Sequence, residues 1–392
     1  MIETANVRAA FARRTRPNTF FHYRSLVTPT SQTVTTPNVD TLYSTSWLDL
    51  SAGPLTIDVP SFGDRYLSVA VMDTYSNNFA LLGSRTSGSS PVRFSISGPD
   101  RTAAGAVSSP TRWAWLLIRA EVDQREDLGD FHALQDQCRI AGPTGSAAFA
   151  PGCRADGDPV VVLETLTRLL AESPPSSAPD EVMRAIAALG LAGEGRGRPW
   201  SADELRTIHD GFMEARTQLL RTPPGLRQCG WILPFENMGA FGPDYRSRAL
   251  IALKGLGALP NREAMYFWAL APDGQTEFDA DQRWRLTLPS GSLPVDAFWS
   301  LTAYRRTPSG QSYLFDNALG RHALGSHQDN LQRADDGSIT VFLQRHPPAD
   351  GPIANWLPTP PEGAFELVLR AYLPRRELLD RSFRLPSVVP AS

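Results

Sequence analysis

Short runs rich in β-branched and aromatic residues, each closed by a turn-forming cluster, constrain this chain more than any other feature. "TLYSTSWLDL", "PLTIDVP", "RYLSVAVMDTY", "VRFSIS" and "RWAWLLIRAE" fall within residues 40–122, with Gly, Pro, Asp and Ser between them. That pattern predicts an antiparallel sandwich or barrel. "GPTGSAAFAPGCRADGDP" (142–159) breaks it and reads as a loop or linker.

Helical periodicity follows. "DPVVVLETLTRLLAES" has Asp158 as a cap, Pro159 in the first turn and Leu163, Leu166 and Leu170 on one face. "PDEVMRAIAALGLAG" predicts a second helix. "SADELRTIHDGFMEARTQLL" opens with Ser201 and Glu204 in capping-box spacing and predicts a third. "DYRSRALIALKGLGAL" predicts a fourth, ending near Gly257. β runs then return: "AMYFWALA", "RWRLTLP", "DAFWSLTAY", "SITVFLQRH" and "FELVLRAYLP". The expected organisation is mainly β: an N-terminal β domain over 1–150, a helical segment over 151–225 and a C-terminal β domain over 226–392. The chain, at 392 residues, is long for one core. Nothing alternates β and α units, which disfavours doubly wound and (β/α) barrel folds.

A net charge of −3 supplies no long-range pull toward nucleic acid or anionic membrane. No apolar run is long enough to span a bilayer, and the N-terminus lacks an apolar signal-peptide core, so a cytoplasmic protein is the default expectation. Cys138, Cys153 and Cys229 have no C-x-x-C spacing and read as free thiols. Lys254 is the sole lysine and hence the only side chain able to form a Schiff base.

The G-x-S-x-G elbow, P-loop, G-x-G-x-x-G, H-E-x-x-H and kinase motifs are all absent. "GEGRGR" (193–198) reads as a turn between helices. His322, His327 and His346 match no standard zinc spacing and are read as surface or hydrogen-bonded histidines; a metal, if present, would be sought there first. The expectation is therefore no metal and no cofactor.

Carboxylates stand out more. In "TPNVDTLYSTSWLDL" (36–50), Asn38 and Asp40 precede Tyr43 and Trp47. On a regular strand, 38 and 40 face one way and 43 and 47 the other, unless a bulge or a late strand start reunites them. Asp73 ends an apolar run and is followed by Tyr75, Asn77 and Asn78, with Arg85 in the next run. A carboxylate so placed can do acid–base chemistry or brace a turn, and the brace is the commoner use.

"PNVDTLYSTSWLDLSAGPLTIDVPSFGDRYLSVAVMDTYSNNFALLGSRTSG", led in by "NTFFHYRSL" with His22, closely resembles the first half of a bacterial two-domain family. That family joins the domains of unknown function numbered 1254 and 1214. "GPDYRSRALIALKGLGAL", "PVDAFWSLTAY", "DDGSITVFLQ" and "ANWLPTPPEGAFELVLRAYLPRRELLD" resemble the second domain, in the expected order, and the likeness spans roughly residues 17–386. The resemblance implies two jelly-roll-like β-sandwich domains with helices between them, assembled as a homotrimer; it implies no reaction. The chain departs from the family pattern in "NALGRHAL", where Asn317 and Arg321 are kept but His322 stands in place of a tyrosine, in Leu331-Gln332, and in "LDR" at 379–381. The changes at 317–332 cluster in one loop region, where they imply either that family-typical ligand contacts are lost or that the substrate is a specialised one.

The expected function is an enzyme, or enzyme-like protein, acting on a small polar organic metabolite by non-redox acid–base chemistry, with hydrolysis first. The alternatives are a non-catalytic carbohydrate or metabolite-binding protein and a structural oligomer. Asp40, Asp73 and Tyr75 are the candidate catalytic residues. Asn38, Tyr43, Trp47, Arg65, Tyr66, Arg85, Trp299, Tyr304, Arg321 and His322 are the candidate substrate contacts, the aromatic residues supplying a pocket wall and Arg65 or Arg85 an anion contact.

Overall fold

The computed structural model describes residues 1–32, 34–122, 128–145, 148–175, 178–192, 199–328 and 330–391. The segment "GEGRGR" lies outside the described residues. The protein is mainly β with helices, and its described strands close no barrel.

Near the N-terminus a five-stranded sheet runs in the order Phe21–His22, Thr41–Asp49, Trp113–Glu121, Leu67–Asp73, Asn78–Gly83. A four-stranded sheet of Val107–Ser108, Val92–Ser97, Leu55–Val59 and Arg139–Ala141 shares its core. Period-two alternation decides which side chains enter that core. Leu42, Leu48, Val69, Val71, Leu116 and Ile118 point inward. Tyr43, Trp47, Trp115 and Arg119 leave on the opposite face.

The C-terminal half repeats this plan. An eight-stranded sheet has Gly225–Gln228, Trp231–Pro234, Ala264–Ala269, Ala364–Tyr372, Trp299–Arg306 and Ser312–Tyr313 on its main path. It shares a core with a four-stranded sheet that includes Trp284–Leu288 and Ile339–Gln344. Here the odd positions Phe267, Trp299, Leu301, Leu367 and Leu369 fill the core. The even positions of the same strands (Tyr266, Ser300, Thr302, Tyr304, Arg370, Tyr372) therefore stand on the other face, and several are fully buried there.

That burial has a simple cause: the non-core faces of the two large sheets pack toward each other. Tyr66 and Ala70 from the first unit join Leu259, Ala264, Phe298 and Tyr372 from the second in one apolar cluster. The rest of the first sheet's outer face is covered by helix Ile2–Phe11, whose Phe11 packs with Trp47, Met72 and Trp113.

Helices Pro159–Glu172, Asp180–Ala188, Ala202–Arg221 and Tyr245–Lys254 form where periodicity predicts them. The Asp158 carboxylate accepts from the Val160 amide, and Ser201 and Glu204 complete their capping box. Helices Ile2–Phe11 and Leu128–Gln135 were not read from the sequence. Lys254 donates to the Thr222 carbonyl at 2.6 Å, closing the end of the preceding helix. Cys138, Cys153 and Cys229 are unbridged. No helix among the described residues is long and apolar enough to cross a membrane.

His22 pins the first sheet's edge. Its Nδ1 lies 2.7 Å from Ser44 Oγ, and burial, reinforced by the nearby Arg24 charge, pushes its pKa down from 6.5 to about 4. The folded state thus prefers the neutral ring, and the stability this confers is full above pH 6.5 and is lost as pH falls toward 4. In urea unfolding, His22→Gln should show a flatter fall in stability between pH 6.5 and 4 than wild type; parallel curves would contradict this assignment.

Candidate functional site

The meeting of the two outer faces buries a polar centre. Strand Thr41–Asp49 starts only at Thr41, because Asn38 Oδ1 accepts from the Asp40 and Thr41 amides at 2.7 and 3.3 Å. This late start leaves Asp40 free of the strand's alternation and carries it to the face on which Tyr43 stands. Asp40 Oδ2 accepts from Ser300 Oγ at 2.6 Å and from the Tyr372 hydroxyl at 3.2 Å. Asn38 Nδ2 donates to the same hydroxyl at 2.8 Å. Asp40 Oδ1 is buried with no partner.

Two rows of side chains frame this centre. Cross-strand pairing sets Tyr266, Arg370 and Ser300 in line on the second sheet. It sets Tyr43, Arg119 and Ser68 in line on the first. Arg370 is committed through both terminal nitrogens, donating to Thr302 Oγ1, the Tyr304 hydroxyl and the Thr36 carbonyl at 2.7–3.1 Å, with Nε alone unpartnered. Tyr304 in turn donates to the Pro37 carbonyl at 2.7 Å. Arg119 differs: Nη2 donates to the Gly257 carbonyl at 2.6 Å, while Nε and Nη1 are buried without partners. Its guanidinium carbon lies 5.4 Å from the Tyr43 ring centre. Beside these, the Tyr66 hydroxyl donates to Glu263 at 3.0 Å and Arg85 Nε donates to the other Glu263 oxygen at 2.9 Å. Phe298 stacks on Tyr372 with ring centres 4.2 Å apart and meets His327 edge-on at 5.3 Å.

The electrostatics follow from burial. Desolvation holds the Tyr66 and Tyr372 phenols well above their ordinary pKa, so both stay protonated donors. It also raises Glu263, against the hydrogen bonds from Arg85 and Tyr66, and raises Glu121, whose carboxylate accepts from the Tyr66 amide. Burial works against the charge of Arg119, yet the phenols of Tyr43 and Tyr266 carry its pKa above the ordinary value. Burial raises the Tyr266 phenol, which lies within the fields of Tyr43, Arg119, Arg370 and Asp40.

Other expected site residues lie elsewhere. Asp73 is a turn brace: Oδ1 accepts from the Tyr75 and Asn77 amides at 2.9 Å each, and Oδ2 from Asn77 Nδ2 at 3.2 Å. Tyr75 donates to the Ser173 carbonyl at 2.7 Å, and its own carbonyl accepts from Arg248. Thus Asp73 and Tyr75 face the helical layer and do not join Asp40. Trp299 is in the C-terminal core, donating to Ser292 Oγ, because its odd position points away from the facing sheets. Trp47 stacks on Trp115 under the N-terminal helix. Arg65 donates to the Phe62 carbonyl, and Arg321 ties its loop to the carbonyls of Ile353, Ala354 and Trp356. Burial lowers the His322 pKa, and no group of three or more metal-ligating side chains gathers among the described residues.

Asn38, Asp40, Tyr43, Tyr66, Arg85 and Tyr304 are thus brought to the interface, while Arg119, Glu263, Tyr266, Ser300, Arg370 and Tyr372 were missed. A signal for Ser300, Arg370 and Tyr372 was present in "SLTAY" and "LVLRAY", where polar residues alternate with apolar ones on strands that otherwise read as fully buried.

A mainly β protein with this interface belongs with a known pair of domains. Residues 17–142 match the protein of unknown function DUF1254 and residues 263–376 the protein of unknown function DUF1214; the chain belongs to the family that joins them in this order. The crystal structure of the VPA0106 protein from Vibrio parahaemolyticus aligns over 100% of this chain and 98% of its own, with a TM-score of 0.71 at 20% identity, a likeness of fold. A putative uncharacterized protein from Burkholderia cenocepacia aligns at a TM-score of 0.48 and 16% identity, over 99% of this chain and 87% of its own. Among curated proteins there is no match.

Since Asp73 braces a turn outside the polar centre, Asp73→Ala should lower stability by about 1–3 kcal/mol through its lost hydrogen bonds. The expected accompaniment is an unchanged centre, read as unperturbed Tyr266 and Tyr372 ring resonances in the folded variant. Large shifts in those resonances would join the two regions.

Proposed function

We propose that the interface around Asp40, Tyr266 and Arg119 binds a small polar metabolite carrying an anionic group, with Asp40 as the acid–base residue. One observation carries this reading. A buried carboxylate oxygen, Asp40 Oδ1, and two buried guanidinium nitrogens, Arg119 Nε and Nη1, make no hydrogen bond of good geometry in the protein, the guanidinium having only the Tyr43 phenol close beside it. Each such group costs about 1–3 kcal/mol, and more when charged, so a fold that retains both offers a partner to something else.

Ser300 and Tyr372 fix the rotamer of Asp40 by occupying Oδ2, leaving Oδ1 to take or return a proton. Arg119 replaces Arg65 and Arg85 in the anion-contact role, since Arg85 is already paired with Glu263. The phenols of Tyr266 and Tyr43 can donate to a developing negative charge. Of the non-redox reactions such a set can run, hydrolysis of an ester or amide next to a carboxylate uses every group: an acid–base carboxylate, an anion clamp and phenol donors. The finer architecture, a jelly roll in each half, we propose on the two-sheet layering around each core.

A panel of small carboxylate-bearing esters and amides tests the reading with wild type and Asp40→Asn. Asn keeps an oxygen for Ser300 and Tyr372, so the variant should fold and bind. Its turnover should fall at least roughly tenfold, about 1.4 kcal/mol in the barrier. Equal turnover would move the acid–base role away from Asp40, binding without turnover in wild type would favour a carrier, and failure to bind any member would reject the site.

A further inference from the structure

A second set of unmet polar groups lies under the N-terminal helix, among residues distinct from the Asp40 centre. Arg8, Trp47, Thr74, Glu172 and Ser173 line a small cavity between helix Ile2–Phe11, the outer face of the first sheet and the end of helix Pro159–Glu172. Arg8 and Ser173 are 2% exposed, Thr74 6% and Trp47 0%. Arg8 Nη2 donates to Glu172 Oε2 at 2.8 Å, and Trp113 Nε1 occupies the other Glu172 oxygen at 2.5 Å. Arg8 Nε, Arg8 Nη1, Trp47 Nε1, Thr74 Oγ1 and Ser173 Oγ have no partner.

The void has room for a single water-sized species. The chemistry of its lining separates a water from a monatomic anion, which is slightly larger and is admitted if the lining gives by a few tenths of an ångström. Four hydrogens there can only donate: one on Arg8 Nε, two on Arg8 Nη1 and one on Trp47 Nε1. A water accepts at most two hydrogen bonds and would leave the others unmet. A monatomic anion accepts from every direction, and the Thr74 and Ser173 hydroxyls can turn to donate as well. Charge agrees: Glu172 answers Arg8, while Arg112 and Arg168 add positive potential felt at Arg8.

We propose that this cavity is a halide site, filled by a single chloride held by Arg8, Trp47, Thr74 and Ser173. The anion fastens the N-terminal helix to the sheet face and to helix Pro159–Glu172, completing the donor set that Glu172 only partly satisfies.

The test uses the full chain, purified in sodium gluconate and unfolded thermally while sodium chloride or bromide replaces gluconate at constant ionic strength. Wild type should show a saturable rise in midpoint with either halide. A Thr74→Val/Ser173→Ala variant keeps the Arg8–Glu172 pair and should need at least tenfold more halide for the same rise. Bromide-grown crystals of wild type, which do not depend on any variant folding, should show an anomalous peak within reach of Arg8 and Trp47. A midpoint indifferent to the anion, a variant that titrates like wild type, or a bromide-free cavity would each overturn the proposal.

Discussion

The structure depends on how two large sheets, each already sealed on one face by its own core, bury their second faces against each other. An antiparallel sheet ordinarily leaves that second face in water. Here water is excluded from an interface that carries two buried carboxylates, two buried guanidinium groups and several phenols. Removing such groups from water costs several kcal/mol for each ion, so the interface holds only where hydrogen bonds replace hydration. Most of the centre obeys this. Arg370 is answered by Thr302, Tyr304 and the Thr36 carbonyl, Glu263 by Tyr66 and Arg85, and Asp40 on one side by Ser300 and Tyr372.

Several of these bonds cross between the halves, which ties the geometry of any pocket to the docking of the two units. Asp40 is in the first half and its partners Ser300 and Tyr372 are in the second. Arg119 reaches to Gly257, and Asn78 donates to the carbonyls of Gly239 and Ala258. The unpaired atoms of Asp40 and Arg119 are thus held by a surround that is largely hydrogen-bonded, Arg370 Nε and Ser68 Oγ excepted, the condition under which a strained or costly group persists at a functional site.

Much of the fold was legible in the sequence, because turn-bounded runs and capping signals act locally: Asp158, Pro159, Ser201 and Glu204 mark helix starts without reference to anything distant. The site was legible only in part. Asp40 and Asn38 stood out because a carboxylate and an amide before a β run are conspicuous, and the late strand start that reunites them with Tyr43 was one of the geometries the residues allowed. Asp73 was equally conspicuous, yet its neighbours Tyr75 and Asn77 turn their own amides onto it and use it up. Arg119, Arg370 and Tyr372 sit inside apolar runs, where the eye reads core. Alternation hints at a second buried face, but the groups that answer them come from the other half of the chain, and no local pattern names those.

If the unpaired groups are kept for a ligand while the paired ones hold the interface, urea unfolding of two charge-removing variants will separate them. Arg370→Met strands Tyr304, Thr302 and the Thr36 carbonyl and should cost about 3–5 kcal/mol, as breaking a buried charged network does. Arg119→Met relieves two unanswered nitrogens while giving up one bond to the Gly257 carbonyl, so the two effects offset and stability should fall by no more than about 1 kcal/mol. A loss at Arg119 as large as that at Arg370 would contradict the account and make the whole centre structural.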